Sequence, residues 1–164
     1  RAGSVDLGVA WDAVEARGLH ATPYRDDHLH VVMRPSHPLA DRARVRFVDT
    51  LDHPSVGVAS AGLVGALMRR QAALAGRELV HRMQVSSLDA CIRIVAAGLG
   101  LAILPAQAAA VQVAASRLVM RPLAEDWAVR RFVVLARETA ALSAAARMLA
   151  SHLAGRAGNR ARLS

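Results

Sequence analysis

The stretch Val85 to Pro105, VSSLDACIRIVAAGLGLAILP, constrains this chain more than any other, because it reads as a turn, a helix, a glycine corner and a covered strand. Ser86 or Ser87 can N-cap the helix. Asp89 stands three residues past Ser86, in capping-box spacing and at the end of the helix dipole that favours an acid. Leu88, Cys91, Ile92, Val95 and Leu99 recur every three or four residues and predict one apolar stripe facing a core. Gly98 and Gly100 stop the helix, since glycine enters the left-handed C-cap conformation without a Cβ clash. Leu101 to Leu104 is too short for a helix and is closed by Pro105, which cannot donate to a ladder, so it predicts a buried strand.

The segments on either side extend this pattern. Ser55 to Ala59 predicts a strand and Ser60-Ala61-Gly62 a turn. Leu63, Leu67, Gln71 and Leu74 form one helical face, widened by Val64 and Met68, until Gly76 ends it. Leu79 to Val85 predicts the next strand. Strand and helix thus alternate from Ser55 to Leu104, which predicts right-handed crossovers and a mainly parallel sheet. Upstream, Ser4 to Trp11 and Leu29 to Met33 read as strands, Asp12 to Pro23 as connection and Val48 to Leu51 as a single helical turn. Downstream come a helix in AQAAAVQVAA, an extended piece from Leu118 to Leu123, a turn at Ala124 to Trp127 and a strand from Arg131 to Ala136. A last helix starts near Ser143, buries Leu142, Ala146, Leu149 and Leu153, and ends at Gly155 ahead of a solvated tail.

Composition narrows the function classes. At 164 residues and 54% hydrophobic, the chain can pack a core as one domain or two small lobes. No apolar run approaches the ~20 residues that span a bilayer, and RAGSVDLG is not a signal peptide, so no membrane and a cytoplasmic setting are expected. Cys91 is the only cysteine, which rules out an internal disulfide. The net charge is +8, carried on arginines alone. Those arginines are scattered and few aromatics accompany them, which argues against direct nucleic-acid binding. His28 and His30 share a strand face with no carboxylate at matching spacing, and read as a polar edge face and not a metal site. Ser60 lacks a nucleophile elbow and Asp26-Asp27 reads as a solvated loop, so neither catalytic residues nor a cofactor are expected.

Several stretches, in order, resemble the effector-binding domain of LysR-type transcriptional regulators. They are Val5 to Val9, His37-Pro38-Leu39-Ala40, the piece ending Asp49-Thr50-Leu51, Val95 to Pro105, and Ala136-Arg137 through Leu142 to Arg147. The resemblance implies an α/β, type 2 periplasmic-binding-protein-like fold: two lobes with mixed sheets joined by two crossing strands. Lobe I would hold residues 1–35 and, by a return strand and C-terminal helix, 128–154; lobe II would hold 36–127, and 155–164 would be a disordered tail. Such domains carry two strand-helix units before the strand matching Ser4 to Trp11, preceded by a linker helix and a winged helix-turn-helix. Lobe I is therefore expected to be incomplete, and its exposed first strand to associate or swap with a neighbour.

The resemblance further implies a small-molecule effector in an interlobe cleft, with self-association as dimer or tetramer and DNA contact only through the absent N-terminal domain. The hydroxyls and unpaired amides at the helix starts suit a carboxylate or phosphate, so an anionic effector, a carboxylate first, is expected. Ligands of open α/β sheets sit beyond the carboxyl ends of strands, at helix N-termini. That rule selects Ser60 and Ala61, and Ser86 and Ser87; Ala10 and Trp11 would face them, with Gly100 as a further wall. Each has a plainer reading: the serines as caps, Trp11 as a core or dimer-interface aromatic, Gly100 as a helix stop. A solute-binding protein of a transporter shares the two-lobed physics and stands as the alternative, and a dimerisation module with an empty pocket as a third.

Overall fold

The computed structural model describes residues 6–12, 18–59, 62–136 and 142–158. They divide into two compact units, one of residues 1–27 and 129–164, the other His28–Ala128.

The second unit is built on a sheet with both faces covered. Strand β2 (His20–Met33) places its second half between β5 (Ala102–Pro105) and β6 (Val119–Pro122), antiparallel to both, with Val31 opposite Ile103 and Arg121. Leu29, Val31, Val32 and Met33 are fully buried as a result. Alternation then sends neighbouring residues to opposite cores. Leu29, Val31, Met33, Leu101 and Ile103 meet Phe47, Met68, Ala72 and Leu123 on one face. Val32, Ala102 and Leu104 meet Cys91, Ile92, Val95, Ala109 and Val113 on the other. An unbroken apolar run such as Leu101 to Leu104 is what a strand covered on both faces requires.

Helices supply the two covers. α1 (Phe47–Thr50) is one turn, held by the Phe47 amide on Glu125 Oε1 at 2.7 Å and by Trp127 edge-on to the Phe47 ring. α2 (Gly62–Leu74) buries Gly65, Met68 and Ala72, while Leu63 and Leu74 are exposed. This corrects the expected face in part: Met68 and Val64 pack against the core as expected, but the rest of the buried stripe is Gly65 and Ala72, small residues in place of Leu63 and Leu74. α3 (Leu88–Ala96) buries Cys91, Ile92 and Val95 as expected, while Leu99, expected in the same stripe, lies past the helix end and is exposed; α4 (Ala106–Ala115) buries Ala109 and Val113. Burial pushes the Cys91 thiol up to about 11, so it is an inert core group.

Strands β3 (Val56–Val58) and β4 (Met83–Val85) pair in parallel, and a parallel bridge from Ser55 to Leu101 joins β3 to the start of β5. The segment from Leu79 to Arg82, expected as strand, is irregular. His28 and His30 lie in the central strand and not on an edge: His28 Nε2 meets the Leu123 carbonyl at 3.1 Å, and the two rings are edge-to-face.

In the first unit, β1 (Leu7–Trp11) runs antiparallel to β7 (Val129–Ala136), from Leu7 opposite Ala136 to Trp11 opposite Phe132. β2 begins at His20, so part of the expected connection is strand. Asp27 and Arg130 form a buried ion pair at 2.5 Å, which replaces the solvated loop expected for Asp27. Helix α5 (Ala144–Gly158) is capped by Ser143 Oγ, which accepts from the Ala146 amide at 3.2 Å. It buries Ala146 but leaves Leu149 half exposed, and it runs on through Gly155, where a stop and a disordered tail were expected. Among the described residues no helix is long and apolar enough to cross a membrane.

Candidate functional site

Because β3 and β4 are parallel, with Val58 opposite Val85, their carboxyl ends open at the same edge. The crevice rule for open α/β sheets points there. Ser86 and Ser87 follow β4 directly, and both are exposed. Ser87 is the N-cap of α3: its backbone is extended (φ −135, ψ 154) and its Oγ accepts from the Ala90 amide at 3.2 Å. The amides of Leu88 and Asp89 precede the first intrahelical bond and have no acceptor within the helix. They are donors of the kind that hold an oxyanion, with the Ser86 hydroxyl beside them. Asp89 closes no capping box with Ser86. Its carboxylate is drawn to Arg93, one turn on, at 2.9 Å.

The other predicted residues fall in three places. Ser60 and Ala61 lie outside the described residues, between Ala59 and the start of α2 at Gly62. Ala10 and Trp11 are half-buried at the end of β1, opposite Val133 and Phe132. Gly100 is not at the Ser86 corner. It precedes β5, next to Pro54 ahead of β3, so a strand length of about 10 Å separates it from the carboxyl ends. A Cβ there would lie 2.6 Å from the Pro54 carbonyl oxygen, and this close approach explains the glycine without any ligand. The reading of Gly100 as a wall of that corner is therefore corrected.

Sequence reasoning missed a group at that other end, where Arg34, His37, His53 and Arg82 surround a cavity. The one local signal was a repeated dipeptide, His37-Pro38 and His53-Pro54, visible only as two turns.

The parallel pair β3–β4 with the capped start of α3 at its carboxyl edge is the arrangement at which open α/β folds bind small molecules. The LysR substrate binding domain model matches residues 1–158, and the chain belongs to that family. It is a LysR-type effector-binding regulatory domain, of a family that is regulatory and not catalytic. The transporter alternative is not favoured.

Solved structures carry the same fold. The regulatory domain of CcmR from Synechocystis PCC6803, in complex with 2-PG, is 22% identical at a TM-score of 0.77, over 95% of this chain and 75% of that one. A full-length BenM variant is 20% identical at 0.72, over 93% of this chain and 50% of that one. The effector binding domain of QuiR, in complex with shikimate, is 19% identical at 0.68, over 94% and 72%. The chain thus spans half of full-length BenM and about three quarters of the two isolated domains. No curated protein matches the chain.

Proposed function

We propose that this domain senses a small anionic effector, a carboxylate, bound in an interlobe cleft against the Ser86-Ser87 corner, and relays it to a DNA-binding domain elsewhere in the intact regulator. The observation that carries this reading is the parallel β3–β4 pair, which delivers the N-terminus of α3, two free amides and an exposed hydroxyl to one sheet edge. Family membership supports it, and so do the complexes of related domains with 2-PG and shikimate, the latter a carboxylate. Ser60 and Ala61 would complete the corner from the β3 side. The intact regulator would work in the cytoplasm as a dimer or tetramer. Binding transmits a signal only through unequal affinity for two conformations.

Thermal melts of the chain against a panel of carboxylates, shikimate included, test the reading. A selective binder at a hundred times its Kd adds about 2.7 kcal/mol to stability and raises Tm, and S86A should remove most of that rise. A panel in which no compound raises Tm, or a rise untouched by S86A, would overturn it. In the intact regulator the same compound should change affinity for an operator fragment.

A further inference from the structure

At the amino ends of β3 and β5, a cavity of about 330 Å³ opens among Arg34, His37, His53, Arg82, Gly98 and Gly100. Four separate pieces of chain build it. Arg34 follows β2 and begins a turn in which the His37 amide donates to the Arg34 carbonyl at 3.0 Å. His53 follows α1, with its amide on the Thr50 carbonyl at 3.2 Å, and Arg82 precedes β4, with its amide on the Ser55 carbonyl at 2.9 Å. The glycines close the walls. Gly98 has φ +81, and a Cβ on it would lie 2.8 Å from Arg34 Nη1, so the guanidinium rests on bare backbone.

The lining is cationic and unneutralised. No carboxylate lines the cavity, and neither Arg34 nor Arg82 is ion-paired among the described residues. Asp52, beside His53 in sequence, is occupied by Arg77 at 2.7 Å. The imidazoles of His37 and His53 stand edge-to-face with centroids 4.6 Å apart. His37 Nδ1 accepts from the Leu39 amide at 3.2 Å, so the proton of the neutral ring sits on Nε2, which is left as a donor.

We propose that this cavity is a second binding site, for a small free dianion such as sulfate, phosphate or a compact dicarboxylate, held by the guanidiniums of Arg34 and Arg82 and by the His37–His53 pair. Two guanidiniums offer forked donors matched to an oxyanion, and the open cleft has room for a molecule of that size. Burial, and then the neighbouring His53, lower the pKa of His37. A dianion among these groups offsets the cost of charging both rings, so binding and protonation of His37 favour each other. The charged and titratable groups facing His37 across the cavity are Arg34, Arg82 and His53.

The test is an imidazole NMR titration of the chain with sodium sulfate, against sodium chloride at equal ionic strength. Sulfate keeps its charge across the range, so the pH dependence belongs to the protein. Saturable shifts at His37 and His53 are expected, with none at His152, together with a raised apparent pKa of His37 and about ten-fold tighter binding at pH 5.5 than at pH 8. R34Q and R82Q should each weaken sulfate about ten-fold and leave the circular dichroism spectrum unchanged. Both arginines are exposed, and Arg82 lacks the contact with Gly98 that Arg34 makes, so R82Q keeps the test open should R34Q fail to fold. Shifts equal to those in chloride, or persisting in the double variant, would overturn the proposal; so would shifts produced by duplex DNA and not by sulfate. S86A should leave sulfate binding unchanged, so failure here and failure of the effector reading are separable.

Discussion

The two ends of the short strands in the second unit are made polar by different means. At the carboxyl end, polarity comes from backbone: free amides at the start of α3, one capping hydroxyl on Ser87 and one exposed hydroxyl on Ser86. At the amino end it comes from side chains, with Arg34, His37, His53 and Arg82 set around glycines whose missing Cβ atoms make the room. The carboxyl end is local and tolerant, because six consecutive residues build it and water can satisfy its groups. The amino end depends on four segments approaching to near van der Waals contact. Stability should therefore be far more sensitive to added bulk at the amino end, and far more sensitive to lost caps at the carboxyl end.

The largest effect tests the first half of that contrast. In G100A the new methyl would stand 2.6 Å from a backbone carbonyl oxygen and 3.0 Å from its carbon, and neither can swing aside as a side chain could. A loss of about 2–4 kcal/mol is expected in urea denaturation, from overpacking with a shifted backbone. G76A is the control. Gly76 also has a positive φ (+68) but open space around it, so only the conformational penalty of about 1 kcal/mol applies. Equal losses in the two variants would show that close approach does not build the amino end.

At the carboxyl end the effects are smaller and separate the two serines. S87A removes the N-cap acceptor of α3 and should cost about 1 kcal/mol, while S86A, exposed and not the cap, should stay within about 0.5 kcal/mol. Melts of both variants without ligand measure this. A costlier S86A would reverse the assignment of the cap and leave Ser87 as the free hydroxyl.

The same contrast explains what the sequence could disclose. Val85 to Pro105 carried its own instructions: a cap, a stripe of Cys91, Ile92 and Val95, and a strand too apolar for one covered face, all within reach of one another. The carboxyl-end corner was legible because a strand followed by a serine pair and a helix is a local pattern. The buried face of α2 was legible only at Met68, since its neighbours Gly65 and Ala72 are small and carry little hydrophobic signal. Asp27 looked like a loop acid because its partner, Arg130, is 103 residues away. Gly100 was legible as a glycine that mattered, but its neighbour Pro54 is 46 positions earlier, so the sequence suggested a helix stop where the structure places a close contact. The cationic cavity was hidden for the same reason: no two of its four charged or titratable side chains come closer in sequence than Arg34 and His37.

The smallest effect is titration, and it sharpens the comparison because His37 and His81, whose pKa values the fold lowers, lie at the amino end. Burial lowers the pKa of His37 below the usual 6.5, with His53 adding to it, and burial followed by Arg69 does the same for His81, whose Nδ1 lies 3.0 Å from Ser55 Oγ. A base with a lowered folded-state pKa is held neutral by the fold, so between the folded value and 6.5 the unfolded chain binds more protons. The contribution of these rings is therefore complete above about pH 6.5, and it is lost as pH falls through that value. Both rings are only half-buried, so after solvent screening the loss should be well under about 1 kcal/mol for each. Melts from pH 7.5 to 5.5 should show a shallow fall that is flatter in H37Q and unchanged in slope in S87A. A parallel fall in wild type and H37Q would remove His37 from the acid response. If sulfate instead flattens the wild-type curve but not that of H37Q, then the ring that loosens the amino end in acid is the one an anion holds in place.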